Sequence, residues 1–122
     1  MRTAIGYALA WPERIDTAVP TLDLPAIGKL HFEEPDLDTF RCLALAFQAL
    51  RAGGDATTIL NAANEVAVEA FLNGQLAFNA IPDLVESVLA ELPQQSVVDI
   101  PSLMDRDRAA REAALRVLAS TC

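Results

Sequence analysis

Between Ile59 and Phe71 the apolar residues Ile59, Ala63, Val66, Ala67, Ala70 and Phe71 recur at helical spacing and make one face. Asn61, Asn64 and Glu65 stand at i, i+3 and i+4 on the opposite face. Asparagine is a poor helix former, because its amide competes for backbone groups. Two of them inside one strong helix point to side chains held by specific partners.

The same periodicity returns on both sides of this segment. Leu37, Phe40, Leu43, Ala44, Phe47 and Leu50 predict a helix that starts at Leu37, capped by Asp36 or Asp38 and stopped by Gly53-Gly54. Asp55 is then expected to cap the helix with the Asn-Glu face, which ends at Asn73-Gly74. Ile81-Pro82-Asp83 opens a third helix with Leu84, Val85, Val88, Leu89 and Leu92 as its apolar positions, and Pro93 closes it. Pro82 suits the first turn, where a missing N–H costs nothing. Pro101-Ser102 opens a last helix with Ala109, Ala110, Ala113, Ala114, Val117 and Leu118 on its apolar side. Its 105–108 run of alternating Asp and Arg is expected to face water. Four helices with short connectors pack most simply as an up-down bundle.

The first 36 residues read differently. Residues 3–11 predict a short helix with Thr3 near its N-cap and Pro12 at its end. Pro12, Pro20, Pro25, Gly28 and Pro35 then prevent long regular structure, while Leu22, Leu24, Ile27, Leu30 and Phe32 make the stretch apolar. Such an arm is expected to lie against a protein surface. Residues 29–32 alternate and predict a short strand. The fold class is mainly α: a C-terminal four-helix bundle preceded by a short helix and an extended Pro-rich apolar arm.

Composition narrows the function. At 122 residues there is room for one domain of ordinary size. The chain is 52% hydrophobic with a mean hydropathy of +0.27, yet no stretch approaches the roughly 18 apolar residues of a bilayer span. The excess apolar content marks surface that meets something else. A formal charge of −8 argues against nucleic acid or an anionic membrane as partner, since both demand basic patches. Cys42 and Cys122 are the only cysteines and are expected to be free thiols in a reducing cytoplasm. No His/Cys spacing suggests a zinc site.

Few side chains here suggest chemistry. His31 is the only histidine, and it reads as structural rather than as a ligand or base. Glu33 and Glu34 read as solvated acids, because neighbours on an extended chain point to opposite sides. Trp11 reads as a core anchor. Thr57, Thr58 and Ser87 lack the setting of a nucleophile. The Asn61/Asn64/Glu65 face either presents two amides and a carboxylate to a neighbouring domain or satisfies groups within its own subunit. The structural reading is preferred, with the Asn64 amide buried and bonded. No residue is assigned a catalytic role.

Three ordered motifs carry a family resemblance. The chain opens Met1-Arg2-Thr3-Ala4-Ile5, followed by Ala10-Trp11-Pro12-Glu13-Arg14. Pro35-Asp36-Leu37, Cys42-Leu43-x-Leu45-Ala46 and Ala49-x-x-Ala52-Gly53 come next, and then Leu60-Asn61-Ala62-Ala63-Asn64-Glu65. In this order they resemble the last third of the 1-deoxy-D-xylulose 5-phosphate reductoisomerases, along essentially the whole chain.

The resemblance implies residues 1–12 as the end of a central catalytic domain, 13–36 as a linker arm and 37–122 as the C-terminal helical bundle. It implies an oxidoreductase of non-mevalonate isoprenoid biosynthesis, a cytoplasmic homodimer that uses NADPH and a divalent cation (Mg, Mn or Co). The family's nucleotide-binding domain and metal ligands precede this stretch, so the chain alone is expected to bind neither and to be inactive. Met1 would sit on the wall of the substrate and nicotinamide pocket, with a simple initiator methionine as the alternative. The physical role implied for this part is to brace the central domain. The competing reading is a free-standing helical interaction module that binds a partner through apolar residues 1–32.

Overall fold

The computed structural model describes residues 1–97 and 99–121, so the thiol expected at Cys122 lies outside the described residues. The chain divides into two compact units, Met1–Glu34 and Pro35–Cys122.

In the first unit, α1 spans Arg2–Ala10. Met1, not Thr3, occupies the cap, and no side chain caps the helix; the Met1 carbonyl accepts the Ile5 N–H at 3.0 Å. Gly6 is the buried residue of α1, and a Cβ there would strike the Thr17 methyl, so glycine lets residues 15–17 fold back onto the helix. The Trp11-Pro12 bond is cis. Trp11 is exposed rather than a core anchor: its ring meets Tyr7 edge-on at 5.6 Å, and Arg14 lies 4.5 Å from the Tyr7 centroid. The arm holds one helical turn that the prolines concealed, α2 at Leu24–Ile27, where the Asp23 carboxylate accepts the Ala26 N–H at 3.1 Å. The strand expected at 29–32 does not form, and the described residues contain no strand at all. Alternation alone supplies no ladder partner.

The second unit holds α3 (Arg41–Ala52), α4 (Ala56–Leu72), a 3₁₀ turn (Phe78–Ala80), α5 (Ile81–Glu91) and α6 (Ile100–Thr121). α3 begins four residues later than periodicity suggested. Asp36 spends its carboxylate on the Thr39 N–H at 2.9 Å and its carbonyl on the Phe40 N–H at 3.1 Å, which closes a turn before the helix. The Thr39 N–H, first among the causes, also holds the Asp36 carboxyl below the usual carboxylate range.

α4 is the axis of the unit and packs against α3, α5 and α6. Its buried side is Ala56, Ile59, Ala62, Ala63, Val66, Ala67 and Ala70. α5 contributes Ile81, Leu84, Val85 and Val88, while α6 contributes Ala110, Ala113 and Ala114, all three at 0% exposure. The α4–α6 seam is therefore built largely of alanine, and small side chains let helix axes approach closely. Fully burying the larger core side chains contributes roughly 1.5–3 kcal/mol each.

Candidate functional site

Two sets of polar groups in the second unit join α4 to α6. The first explains the Asn-Glu face. The Asn61 amide donates to Glu65 Oε1 at 3.1 Å along α4, and Arg111 of α6 donates through Nη2 to Glu65 Oε2 at 2.6 Å. Arg111 Nε in turn donates to Asp107 Oδ2 at 2.8 Å, one turn away on its own helix. The Arg111 guanidinium, followed by the Asn61 amide, holds the Glu65 carboxyl below the usual carboxylate range. Asp107, followed by Glu65, fixes Arg111 still more firmly in its charged form. Asn64 does not join them: it is half-buried, and its side chain makes no hydrogen bond among the described residues.

The second set was not legible in the sequence. Asp55 is 1% exposed, and its side chain does not cap α4. Instead Asp55 Oδ1 accepts the Gln95 N–H at 2.8 Å, and the Asp55 N–H donates to the Gln95 carbonyl at 3.1 Å. Arg106 of α6 donates through Nε to Asp55 Oδ2 and through Nη2 to the Pro93 carbonyl at 2.8 Å. Gln94 adds a bond from its amide to the Ala52 carbonyl at 2.6 Å. The connector between α5 and α6 is thus fastened to the α3–α4 corner. Gly54, at φ +53°, is part of that fit, since a Cβ there would strike the Gln95 carbonyl. Of the 105–108 run expected in water, Arg106 faces inward, and Asp55 is the reason: a buried carboxylate must be paired.

Both sets hold helices and connectors in place, and each borders an open hollow, about 200 Å³ beside Asp55 and Arg106 and about 340 Å³ beside Arg111. A separate groove of about 360 Å³ lies between the start of α3 and the start of α5, with Phe40, Cys42, Phe78 and Ile81 among its walls. At its edge Arg41 pairs with Asp83 and Glu86. Cys42 is an exposed free thiol. Among the described residues no three His, Cys, Asp or Glu side chains gather closely enough to hold a metal ion. Met1, exposed at the head of α1, and His31, exposed in the arm, belong to the first unit, whereas the Asn61/Asn64/Glu65 face belongs to the second. No described helix is long and apolar enough to cross a membrane.

Comparison with known proteins matches nearly the whole length of the chain. The profile of the DXP reductoisomerase C-terminal domain matches residues 1–113. The chain is 54% identical over 119 residues to the 1-deoxy-D-xylulose 5-phosphate reductoisomerase of Xanthomonas euvesicatoria pv. vesicatoria, covering 98% of this chain and 30% of that protein. It is 56% identical over 114 residues to the enzyme of the same name from Cupriavidus necator, covering 93% and 29%. Among solved structures, the Zymomonas mobilis reductoisomerase in complex with NADPH is 34% identical with a TM-score of 0.84, covering 95% of this chain and 31% of that one. A DOX-P reductoisomerase in complex with NADPH, fosmidomycin and magnesium is 38% identical with a TM-score of 0.82, covering 97% and 31%. The chain spans about 30% of the length of these relatives.

Proposed function

Because the chain belongs to the DXP reductoisomerase C-terminal domain family, we propose that it works as the C-terminal helical domain of a 1-deoxy-D-xylulose 5-phosphate reductoisomerase. The observation that carries this is the 54% identity over 119 residues, which cover 98% of the chain. The reaction proposed for the assembled enzyme is the NADPH-dependent rearrangement and reduction of its sugar phosphate, which makes a precursor of isoprenoids in the cytoplasm.

NADPH and the divalent cation are assigned to parts of the enzyme outside this chain. Within the assembled enzyme, residues 1–12 would close the central domain, with Met1 on its pocket wall. Residues 13–36 would link it to the bundle at 37–122. The homodimer would be built mainly through the central domain.

The contribution of the bundle is mechanical. Asp55, Glu65, Arg106 and Arg111 tie α4, α6 and the connector between α5 and α6 into one body. A body so fixed can hold neighbouring pocket elements in place, and that is the role assigned here to the Asn61/Glu65 face.

Substrate-dependent NADPH oxidation tests the proposal. The purified chain with substrate and Mg²⁺ is expected to show no turnover. Adding the complementary N-terminal part of a close relative is expected to restore it. Turnover that tracks the isolated chain through purification would overturn the division of labour, and failure of every complementation would overturn the bracing role.

A further inference from the structure

Gly6 is the buried residue of α1, and Thr17 is the one residue of 11–34 that is not exposed. The two are the opposite ends of a single contact. A Cβ on Gly6 would lie 3.7 Å from Ile15, an ordinary distance, but it would overlap the Thr17 methyl. Space for that methyl exists only because position 6 has no side chain. The backbone around Thr17 is shaped to deliver it. Asp16 Oδ1 accepts the Ala18 N–H at 2.8 Å, which closes a short turn about Thr17. Ala18 takes φ +52°, a left-handed conformation disfavoured for any residue with a Cβ. An exposed alanine stays there only if its neighbours hold it, and the Thr17 seat and the Asp16 carboxylate are in place to do so.

We propose that residues 15–18 are a strap that closes over α1, with Gly6 as its socket and the Asp16 turn as its catch. Closed, the strap makes α1 and the start of the arm one body. The arm then departs from Val19 in a fixed direction, and a pull on it is passed to α1 and to Met1 at its head. Open, Pro12 is the last fixed point, and the arm moves without α1. The balance is fine because the contributions are small and opposed. One methyl contact and one hydrogen bond favour the closed state, and one left-handed alanine opposes it. Single substitutions therefore move the balance in either direction.

NMR of the full chain reads the strap through two signals: the nuclear Overhauser contact between the Thr17 methyl and the Gly6 α-protons, and the exchange rate of the amide at position 18. The natural chain is expected to show the contact and an amide slower than its intrinsic rate. Gly6→Ala would strengthen α1 on propensity alone, since alanine is the better helix former. The strap predicts the opposite at position 18, where exchange is expected to rise about tenfold. Thr17→Ser removes only the colliding methyl, so adding it to Gly6→Ala is expected to bring the rate back near that of the natural chain. Ala18→Gly, which adopts φ +52° freely, is expected to slow the amide several-fold once intrinsic rates are allowed for. A natural chain without the contact overturns the proposal. So does a Gly6→Ala chain whose amide exchanges as before, or a double variant that does not recover. Faster exchange in Ala18→Gly would overturn the opposed balance.

Discussion

Arg106 donates to Asp55 across 51 residues of sequence, and the same guanidinium reaches the Pro93 carbonyl. One side chain therefore joins the start of α4, the connector after α5 and the first third of α6. Removing it leaves a carboxylate that is 1% exposed without its cation. Arg106→Ala is expected to lower the unfolding free energy by about 3 kcal/mol, the scale of an abandoned buried charge. Arg108→Ala removes only an exposed pair with Asp105 and should cost within about 0.5 kcal/mol. Urea denaturation of both variants makes the comparison, and equal midpoints would remove the Asp55 link from the account.

Glu65 makes stability depend on pH. Its folded carboxyl is held below its ordinary value of 4.5, chiefly by Arg111 and then by Asn61. The deprotonated form is thus favoured by folding, and the unfolded chain takes up the proton first. The resulting stability is fully present above about pH 4.5 and is lost as pH falls through the lowered folded value. Denaturation midpoints between pH 6 and pH 3 should therefore fall less steeply in Glu65→Gln than in the natural chain. Parallel slopes would contradict the coupling.

Asn64 illustrates where sequence reasoning and structure part. The expectation of a buried, bonded amide implied a loss of about 1–3 kcal/mol on change to alanine. The side chain is half-buried and makes no hydrogen bond among the described residues. Alanine is also the better helix former. Asn64→Ala should leave the stability of the isolated chain within about 0.5 kcal/mol. A loss above 1 kcal/mol in chemical denaturation would return Asn64 to the structural set.

Hydrogen exchange should separate the two units. Nearly every described residue of the first unit is exposed, and its arm holds only one helical turn, whereas α4 has a fully buried side. Amides in 13–34 are expected to exchange far faster than those in 56–72. Equal protection would show an arm ordered by contacts as firm as those of the bundle.

The helices were legible because their stops are local. Gly53-Gly54, Asn73-Gly74 and Pro93 each end a helix by their own chemistry, and the apolar rows of α4 and α5 announce their buried sides. The start of α3 was obscured because Asp36, a sound helix cap on paper, closes a turn instead. The Glu65–Arg111 pair was half visible: the Asn-Glu face asked for a partner, but nothing local named a residue 46 positions away. Asp55 does stand at the N-cap of α4, but its carboxylate turns to Gln95 and Arg106 instead of the helix, and Arg106 was misread as solvated. An aspartate after two glycines looks like a cap, and an arginine in an alternating charged run looks solvated. Their meeting depends on the path of the connector between α5 and α6, which carries no periodic signal.

The alanine seam between α4 and α6 has a consequence for alignment. Methyl groups have no rotamers to lose and little bulk, so they say little about which turn of one helix should face which turn of the other. Sliding α6 by one turn would bring Ala114 to the place of Ala110, and Val117 and Leu118 to the places of Ala113 and Ala114. Those positions would stay apolar, and the only objection would be size. The same slide would put Ala110 where Arg106 now meets Asp55. A buried carboxylate facing a methyl group is an error that no repacking corrects. The charged residues thus act as the index mark of the bundle: the alanines permit several settings, and the aspartate accepts one.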